Sequence, residues 1–382
     1  MDITEFDEIR CYNDSEIHDA LEKLCTEKQF IKVTSTVYPL LPKDAIKQRL
    51  SSYKSTYEFQ TNFIYPFLQG LEANLTKGID FKSLKNFDEK KPYLYVSNHR
   101  DIILDSAFLC AKLIEKGLDT VEIAIGDNLL VFPWIEELVK VNKSFIVKRG
   151  LSPRQVLESS KRLSSYIRYT IQDKKQSIWI AQREGRAKDA NDRTQESLLK
   201  MFNMSGTESF GKNISELNIC PLSISYEYDP CDFLKAKEFQ QKRDNPEHKK
   251  SPMDDLTNMQ TGVIGYKGKV VYTAVGDINQ EIIDLELIFP NKSELVTKIA
   301  ELIDKKIHAN YVIYNINKIA YDLINKSNQY EKDYTIMEKL DFEKYLEKQI
   351  QKIDLPEPDE NFLMKKLLEM YANPLINYNL AQ

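Results

Sequence analysis

Apolar residues near the start of the chain recur about one helical turn apart. Ile17, Leu21 and Leu24 show this spacing in "SEIHDALEKLCTEKQFIKV" and predict a helical N-terminal subdomain over residues 1–80. A later apolar-striped segment, "TYEFQTNFIYPFLQGLEANL", contains Pro66, where we expect a kink because proline lacks the N–H that a helix interior requires.

Short apolar runs of β type alternate with amphipathic helical segments over residues 81–290. This alternation predicts an α/β domain in which helices cover the strands. The predicted strands are 93–97, 121–126, 144–148, 177–181, 218–228 and 269–276. The predicted helices between them are 101–116, 129–141, 153–172 and 194–203.

Two further segments have other patterns. Residues 238–255 are polar with alternating charges, which predicts a loop or insertion in which His248 is solvated. Residues 291–382 return to helical periodicity and predict a helical C-terminal segment.

The overall charge excludes one class of partner, and a local charge suggests another. The net charge of −5 argues against a nucleic-acid binder, whose signature is a strongly basic domain. Residues 140–168 nevertheless contain eight Lys or Arg and one Glu. This basic stretch suits an anionic ligand or an anionic membrane surface.

The cysteines and the apolar runs bear on the cellular compartment. The five cysteines never form a C-x-x-C pair, so we predict buried reduced thiols and neither a disulfide framework nor a zinc or other metal site. No run reaches the ~18 apolar residues that a spanning helix needs. We therefore expect a cytoplasmic protein that contacts a membrane only peripherally, on its inner face.

A candidate catalytic histidine, His99, lies in the segment "SNHRDIILD", which follows a predicted strand. If Asn98 caps the next helix, His99 lies at the positive end of the helix dipole, which favours the neutral imidazole that a general base requires. Asp101 or Asp105 could bind the other ring nitrogen and fix the tautomer. The alternative is that Asn98 and Asp101 form a capping pair and His99 is a bystander. Strand ends are where α/β folds place catalytic residues, which favours the first interpretation.

Basic residues follow two other predicted strands. They are Lys148, Arg149, Arg183, Arg186, Lys188 and Arg193. Because arginine presents paired donors that match phosphate oxygens, these strand ends predict a phosphate site, with Arg149 and Arg186 as the main candidates. The alternative is a solvated charged loop, since Glu184, Asp189 and Asp192 lie among the basic residues.

Four blocks of the sequence resemble, in order, those of the glycerolipid acyltransferases, which acylate glycerol-3-phosphate or lysophosphatidate. "SNHRDIILD" is similar to their N-H-x4-D motif, and "LLVFPWIEELVKVNKSFIVKRG" to their proline helix followed by F-I-x-R. "IWIAQREGRAKDANDR" resembles their E-G block, and "ICPLSISYEYDP" their proline strand.

The resemblance implies a fold and an activity. The fold is a mixed, mostly parallel sheet flanked by helices. The activity is direct acyl transfer in phospholipid biosynthesis from acyl-CoA or acyl carrier protein, without a further cofactor, to a phosphorylated glycerol or lysolipid. His99 would be the base and Asp105 would orient it. The implied substrate-binding residues are Lys148, Arg149, Glu184, Gly185, Arg186, Lys188 and Pro221, the last shaping the acyl channel.

Two departures keep alternatives open. Five residues separate His99 from Asp105, one more than in the motif, so Asp101 could support His99 instead. The third block reads "REGRAK" where many members have "PEGTRS". The acceptor could therefore be a lipid alcohol such as an aminolipid precursor. The third reading is a non-catalytic lipid-binding protein at the membrane surface.

Overall fold

The structure is a computed structural model that describes residues 3–382. Its strands form a seven-stranded sheet in the order β1-β7-β6-β2-β5-β3-β4. All neighbouring strands are parallel except β6 and β7, which confirms the predicted mixed, mostly parallel α/β fold. The strands are β1 (Ile79–Ser83), β2 (Leu94–Ser97), β3 (Glu122–Gly126), β4 (Ser144–Val147), β5 (Ile178–Ala181), β6 (Ile219–Tyr226) and β7 (Val270–Ala274).

Helices precede the sheet, as predicted. They are α1 (Asp14–Thr26), α2 (Lys28–Val37), α3 (Lys43–Ser52), α4 (Thr56–Phe59) and α5 (Tyr65–Leu75). Between α4 and α5, residues Gln60–Ile64 form a turn of π-helix. This widened turn lies directly before Pro66, whose missing N–H cannot continue the α-helical pattern.

Further helices cover both faces of the sheet and form the C-terminal segment. The helices up to β7 are α6 (Leu104–Glu115), α7 (Pro133–Val141), α8 (Pro153–Gln172), α9 (Glu196–Phe202), α10 (Phe210–Ser215), α11 (Asp232–Asp244) and α12 (Pro252–Ile264). Those after it are α13 (Asn279–Ile288), α14 (Lys292–His308), α15 (Asn315–Asn325), α16 (Ile336–Gln351) and α17 (Glu360–Ala381). The division of the chain at residues 80 and 290 stays a prediction.

Strand β2 lies at the centre of the sheet and is buried on both faces. Leu94 and Val96 belong to one apolar cluster, whereas Tyr93 and Tyr95 belong to the cluster on the opposite face. Burial on both faces is typical of parallel sheets and explains why the strand is one continuous apolar run. The residues that follow β2 are therefore attached to a rigid part of the sheet.

The predicted loop over 238–255 is wrong. Helix α11 extends to Asp244 and α12 begins at Pro252, so only a short connection separates them. The side chains of Lys235, Glu238 and Gln240 are buried on α11. Because this helix buries polar groups instead of an apolar stripe, hydrophobic periodicity could not reveal it.

The cysteines and the helix lengths complete the description. All five cysteines are buried and free, as predicted. Within residues 3–382, none of the helices combines the length and the apolar character needed to cross a bilayer.

Candidate active site

Asn98 anchors the chain where it leaves β2. Its Nδ2 donates to the carbonyl of Ile224 and its Oδ1 accepts from the N–H of Ile224, both at 2.8 Å. The side chain thus extends the β2–β6 pairing by one residue. The expectation that Asn98 caps the helix and places His99 at its first turn is wrong, because α6 begins only at Leu104.

Asp101 has the capping role instead. Its Oδ1 accepts the N–H groups of Ile103 at 2.9 Å and Leu104 at 2.8 Å, which satisfies donors at the helix start. Burial raises the pKa of Asp101, and the neighbouring carboxylate of Asp105 adds to the effect. Helix α12 packs closely here, since a Cβ atom on Gly262 would lie 2.1 Å from Oδ2 of Asp101.

His99 binds Asp105. The distance from Nδ1 of His99 to Oδ2 of Asp105 is 2.8 Å, and Asp105 is fully buried. The same oxygen accepts the N–H groups of Arg100 at 2.6 Å and Asp101 at 3.1 Å. The irregular turn 98–103 absorbs the additional residue between His99 and Asp105. In the neutral imidazole the proton then lies on Nδ1 and Nε2 is the free acceptor.

An aromatic contact supports the imidazole. The rings of His99 and Trp179 meet edge to face, with their centroids 5.5 Å apart. Nε1 of Trp179 donates to Oγ of Ser97 at 3.0 Å, and this hydroxyl donates to the carbonyl of Asn98 at 2.8 Å. The indole and the turn therefore hold each other in place.

Asp192 is a component of the site that sequence reasoning placed only in a solvated loop. It is fully buried, its Oδ1 accepts the N–H of His99 at 3.4 Å, and its Oδ2 pairs with the guanidinium of Arg100. No local signal marks this pair, because the two residues lie far apart in sequence.

The C-terminal segment anchors Asp192. Burial lowers the pKa of His308 to about 4, so this histidine is neutral at physiological pH. Its Nε2 donates to the carbonyl of Asp192 at 3.1 Å, and its Nδ1 accepts from Arg193 at 3.2 Å. Arg193 also donates to Oδ1 of Asn377 in α17 at 2.9 Å. Arg193 thus links the active-site loop to α14 and α17, and the prediction that it belongs to the phosphate cluster is wrong.

A cavity of about 1790 Å³ opens beside His99. Most of its walls are apolar, with contributions from Val33 in α2, Phe67 in α5, Trp134 in α7 and Met259 in α12. The volume exceeds the roughly 300–1,000 Å³ of ordinary small-ligand sites. The cavity can therefore hold a long apolar ligand.

Arg149 reaches this cavity across β3. A Cβ atom on Gly126 would lie 2.4 Å from Nε of Arg149, so a larger residue at this position would displace the arginine side chain. The guanidinium pairs with Glu184, which is mostly exposed. Gly185 adopts a left-handed φ of 68°, which glycine tolerates best and which turns the loop after β5.

Three guanidinium groups line the cavity together with His99: those of Arg149, Arg183 and Arg186. Nη2 of Arg186 donates to Oδ1 of Asn258 in α12 at 2.8 Å. Each of the three still has a buried N–H without a partner among residues 3–382. Exposed Lys148 lies on the same wall. Buried donors without partners suit a bound anion.

Lys188 lies in a separate basic group of the cavity. It pairs with Glu238, which also binds Nζ of Lys242 and of Lys250 at 3.0 Å each. Burial lowers the pKa of Lys188 to about 8, against the opposing effect of Glu238. Burial alone would raise the pKa of Glu238, but the lysines lower it to about 2.

Pro221 does not line the cavity. It is buried within β6 opposite Val96. The cavity lies over the ends of β3, β4 and β5, whereas β6 pairs with the other side of β2. The expected role of Pro221 in shaping an acyl channel is therefore wrong.

Comparison with known proteins identifies the domain that contains this site. Residues 78–224 match the family model described as Acyltransferase. No curated protein is significantly similar in sequence. Among solved structures, the 1-acyl-sn-glycerophosphate (LPA) acyltransferase PlsC from Thermotoga maritima aligns with 11% identity over 75% of this chain and 93% of that chain, with a TM-score of 0.39. The family match spans the His99 turn, and all four motif blocks begin within it, so residues 78–224 form a domain that is similar to the Acyltransferase family.

Proposed function

We propose that the enzyme transfers a fatty acyl group from a thioester donor, acyl-CoA or acyl carrier protein, to a hydroxyl of glycerol-3-phosphate or of a lysophospholipid such as lysophosphatidate. This is a step of phospholipid biosynthesis. The observation that supports it is the His99–Asp105 pair at the wall of a long apolar cavity that also contains three incompletely paired guanidinium groups.

The chemistry follows from the orientation of the imidazole. Nε2 of His99 removes the proton of the acceptor hydroxyl, and the carboxylate of Asp105 stabilises the imidazolium through Nδ1–H. The acceptor oxygen attacks the thioester carbonyl and forms a tetrahedral intermediate. When the C–S bond breaks, the thiolate leaves and takes the proton from Nε2. The products are the ester and the free thiol.

A direct transfer agrees with the state of the cysteines. Burial raises the pKa of Cys110 to about 11 and that of Cys220 to about 12. Cys231, the cysteine nearest to Arg186, also has its pKa raised to about 12 by burial. A nucleophilic cysteine needs a lowered pKa, so these thiols do not suit an acyl-enzyme mechanism.

The acceptor phosphate is expected to bind the guanidinium groups. Arg183 has no hydrogen-bond partner among residues 3–382, and its Nε is buried. Replacing it therefore removes no hydrogen bond and no ion pair of the folded protein. We expect Arg183→Ala to raise KM for a phosphorylated acceptor about tenfold or more, because a hydrogen bond between charged groups contributes roughly 1.5–3 kcal/mol.

The assay measures free thiol released from palmitoyl-CoA with glycerol-3-phosphate or lysophosphatidate, and in parallel with the same acceptors lacking phosphate. Lys365→Ala is the matched control, because Lys365 is 64% exposed on α17 and does not line the cavity. Transfer to unphosphorylated lipid alcohols alone would contradict the proposed acceptor. No transfer from palmitoyl-CoA or from acyl carrier protein would favour a lipid-binding protein.

The membrane partner is proposed from the start of α8. Val156 and Leu157 are 47% and 62% exposed, and Arg154, Lys161 and Arg162 are exposed around them. Val156 also lines the cavity, so this apolar and basic surface lies at an opening to it. Such a surface suits peripheral contact with an anionic bilayer, as on the cytoplasmic face of a membrane.

Leu157→Glu is expected to weaken binding to vesicles that contain phosphatidylglycerol by several-fold, because it places a negative charge on the docking surface. Co-sedimentation at low and high salt measures the effect. Leu380→Glu is the matched control, since Leu380 is 77% exposed at the end of α17. Equal losses in both variants, or binding of the native protein that does not depend on anionic lipid, would contradict this surface.

A further inference from the structure

Four lysines and two carboxylates form a cluster on the cavity wall, where Lys188 from the loop after β5 meets α11, α12 and their connection. Its members are Lys188, Lys242, Lys249, Lys250, Glu238 and Asp255. Glu238 is 4% exposed and binds Nζ of Lys188, Lys242 and Lys250. One buried carboxylate thus holds three ammonium groups within a few ångströms of one another.

The cluster has more positive charge than its own carboxylates balance. Asp255 lies 3.7 Å from Nζ of Lys250, and Lys249 has no ion pair within residues 3–382. A structural ion pair would need only one lysine for Glu238. The remaining ammonium groups repel one another, so an additional anion would be attracted here.

The α11 end of the cluster, at Lys242, lies away from the guanidinium groups, whereas Lys188 follows Arg186 by two residues. Nζ of Lys235 in α11 lies 3.2 Å from the carbonyl of Arg100, next to His99. Lys242 is two turns further along the same helix, which corresponds to roughly 10 Å at 1.5 Å per residue. Arg186, in contrast, is close enough to Asp101 in the His99 turn to affect its pKa.

Because the guanidinium groups and the Lys242 end of the lysine cluster lie at different distances from His99, they suit different anions. In a phosphorylated glycerol acceptor the phosphate lies only a few bonds from the reacting hydroxyl, so it belongs near His99 and the arginines. In acyl-CoA the pantetheine arm separates the thioester from the phosphates of the nucleotide. A phosphate site displaced along α11 therefore matches the donor.

Resting on the proposed function, we propose that the lysine cluster binds the phosphate groups of the nucleotide of acyl-CoA, with the pantetheine arm extending along the cavity to His99. The diphosphate and the 3′-phosphate provide several negative charges, and flexible lysines can follow them as point charges. Lys188 and Lys250 are only 24% and 27% exposed, whereas Lys242 is 50% exposed. A small ligand can reach all three lysines, but the broad surface of a carrier protein could not reach the two recessed ones.

A binding measurement tests the site without catalysis. The probe is adenosine 3′,5′-bisphosphate, titrated calorimetrically into the native enzyme and into Lys242→Ala/Lys250→Ala. We expect binding to the native enzyme and a loss of affinity of about tenfold or more in the variant, since two charged contacts are removed. Lys298→Ala/Lys365→Ala is the matched control, because both lysines lie outside the cavity.

Steady-state kinetics give a second readout. The lysine variant is expected to raise KM for palmitoyl-CoA about tenfold, with little change in kcat. With S-palmitoyl-pantetheine, which has no nucleotide, native enzyme and variant should behave alike. Equal losses with both donors, or a rise confined to the KM of the acceptor, would overturn the assignment.

The outcomes separate this inference from the proposed function. If the native enzyme transfers acyl groups from acyl carrier protein but does not bind the bisphosphate, the nucleotide site is wrong and the acyl transfer stands. If the bisphosphate binds and its affinity depends on the cluster, yet no thioester supports transfer, the nucleotide site stands and the proposed function is wrong.

Discussion

His99→Ala is expected to lower kcat for acyl transfer by about 10³-fold or more, because it removes the proposed general base, and such bases contribute roughly 10²–10⁴-fold. The apolar cavity and the arginines remain, so substrate binding should change little. The measurement is thiol release from palmitoyl-CoA at saturating acceptor. Circular dichroism should show an unchanged fold, since His99 lies in an irregular turn at the cavity wall.

His248→Ala is the matched control for this prediction. His248 also lines the cavity, and it is half-buried in the connection between α11 and α12. It does not contact Asp105, so kcat should stay within a few-fold of the native value. A His99→Ala variant that retains most of its activity would exclude His99 as the base.

Asp105→Asn is expected to lower kcat by about 10²-fold or more, in the range seen when the carboxylate of a catalytic triad is replaced by an amide. Oδ2 of Asp105 accepts three N–H groups, those of His99, Arg100 and Asp101. An asparagine oxygen could accept the same bonds, but it would not stabilise the imidazolium. An amide nitrogen in that place would force the proton of the imidazole onto Nε2.

Asp101→Asn separates catalysis from capping. Oδ1 of Asp101 accepts only backbone N–H groups at the start of α6, and asparagine is an equally good cap. We therefore expect this variant to keep kcat within a few-fold of the native value. If both substitutions reduced kcat equally, the loss would come from distortion of the turn and not from the charge on Asp105.

The buried contacts of Asp192 explain why the C-terminal helices matter to the site. Asp192 contacts both His99 and Arg100, and its carbonyl is held by His308 in α14. Helix α17 adds a direct bond from Asn373 to the carbonyl of Asp189 at 2.7 Å. The loop that follows β5 is therefore positioned by residues more than a hundred positions later in the chain.

Most of the sheet was predictable from local pattern. Strands β2 to β7 are buried, so each is a short apolar run that the sequence displays directly. The edge strand β1 has only two apolar residues and was missed, because its polar positions face solvent. Helix α11 was missed for a different reason, since it is stabilised by buried ion pairs such as Lys188–Glu238.

The sequence by itself determined the fold class, the order of the motif blocks and the identity of His99 as the candidate base, because these depend on residue type and on local spacing. Only the tertiary structure decided that Asp105 and not Asp101 binds His99, since an irregular turn precedes α6. It likewise showed that Arg193 binds Asn377 in α17 and that Pro221 lies outside the cavity. These outcomes depend on the path of the backbone through a turn and on contacts between distant segments, which local spacing does not specify.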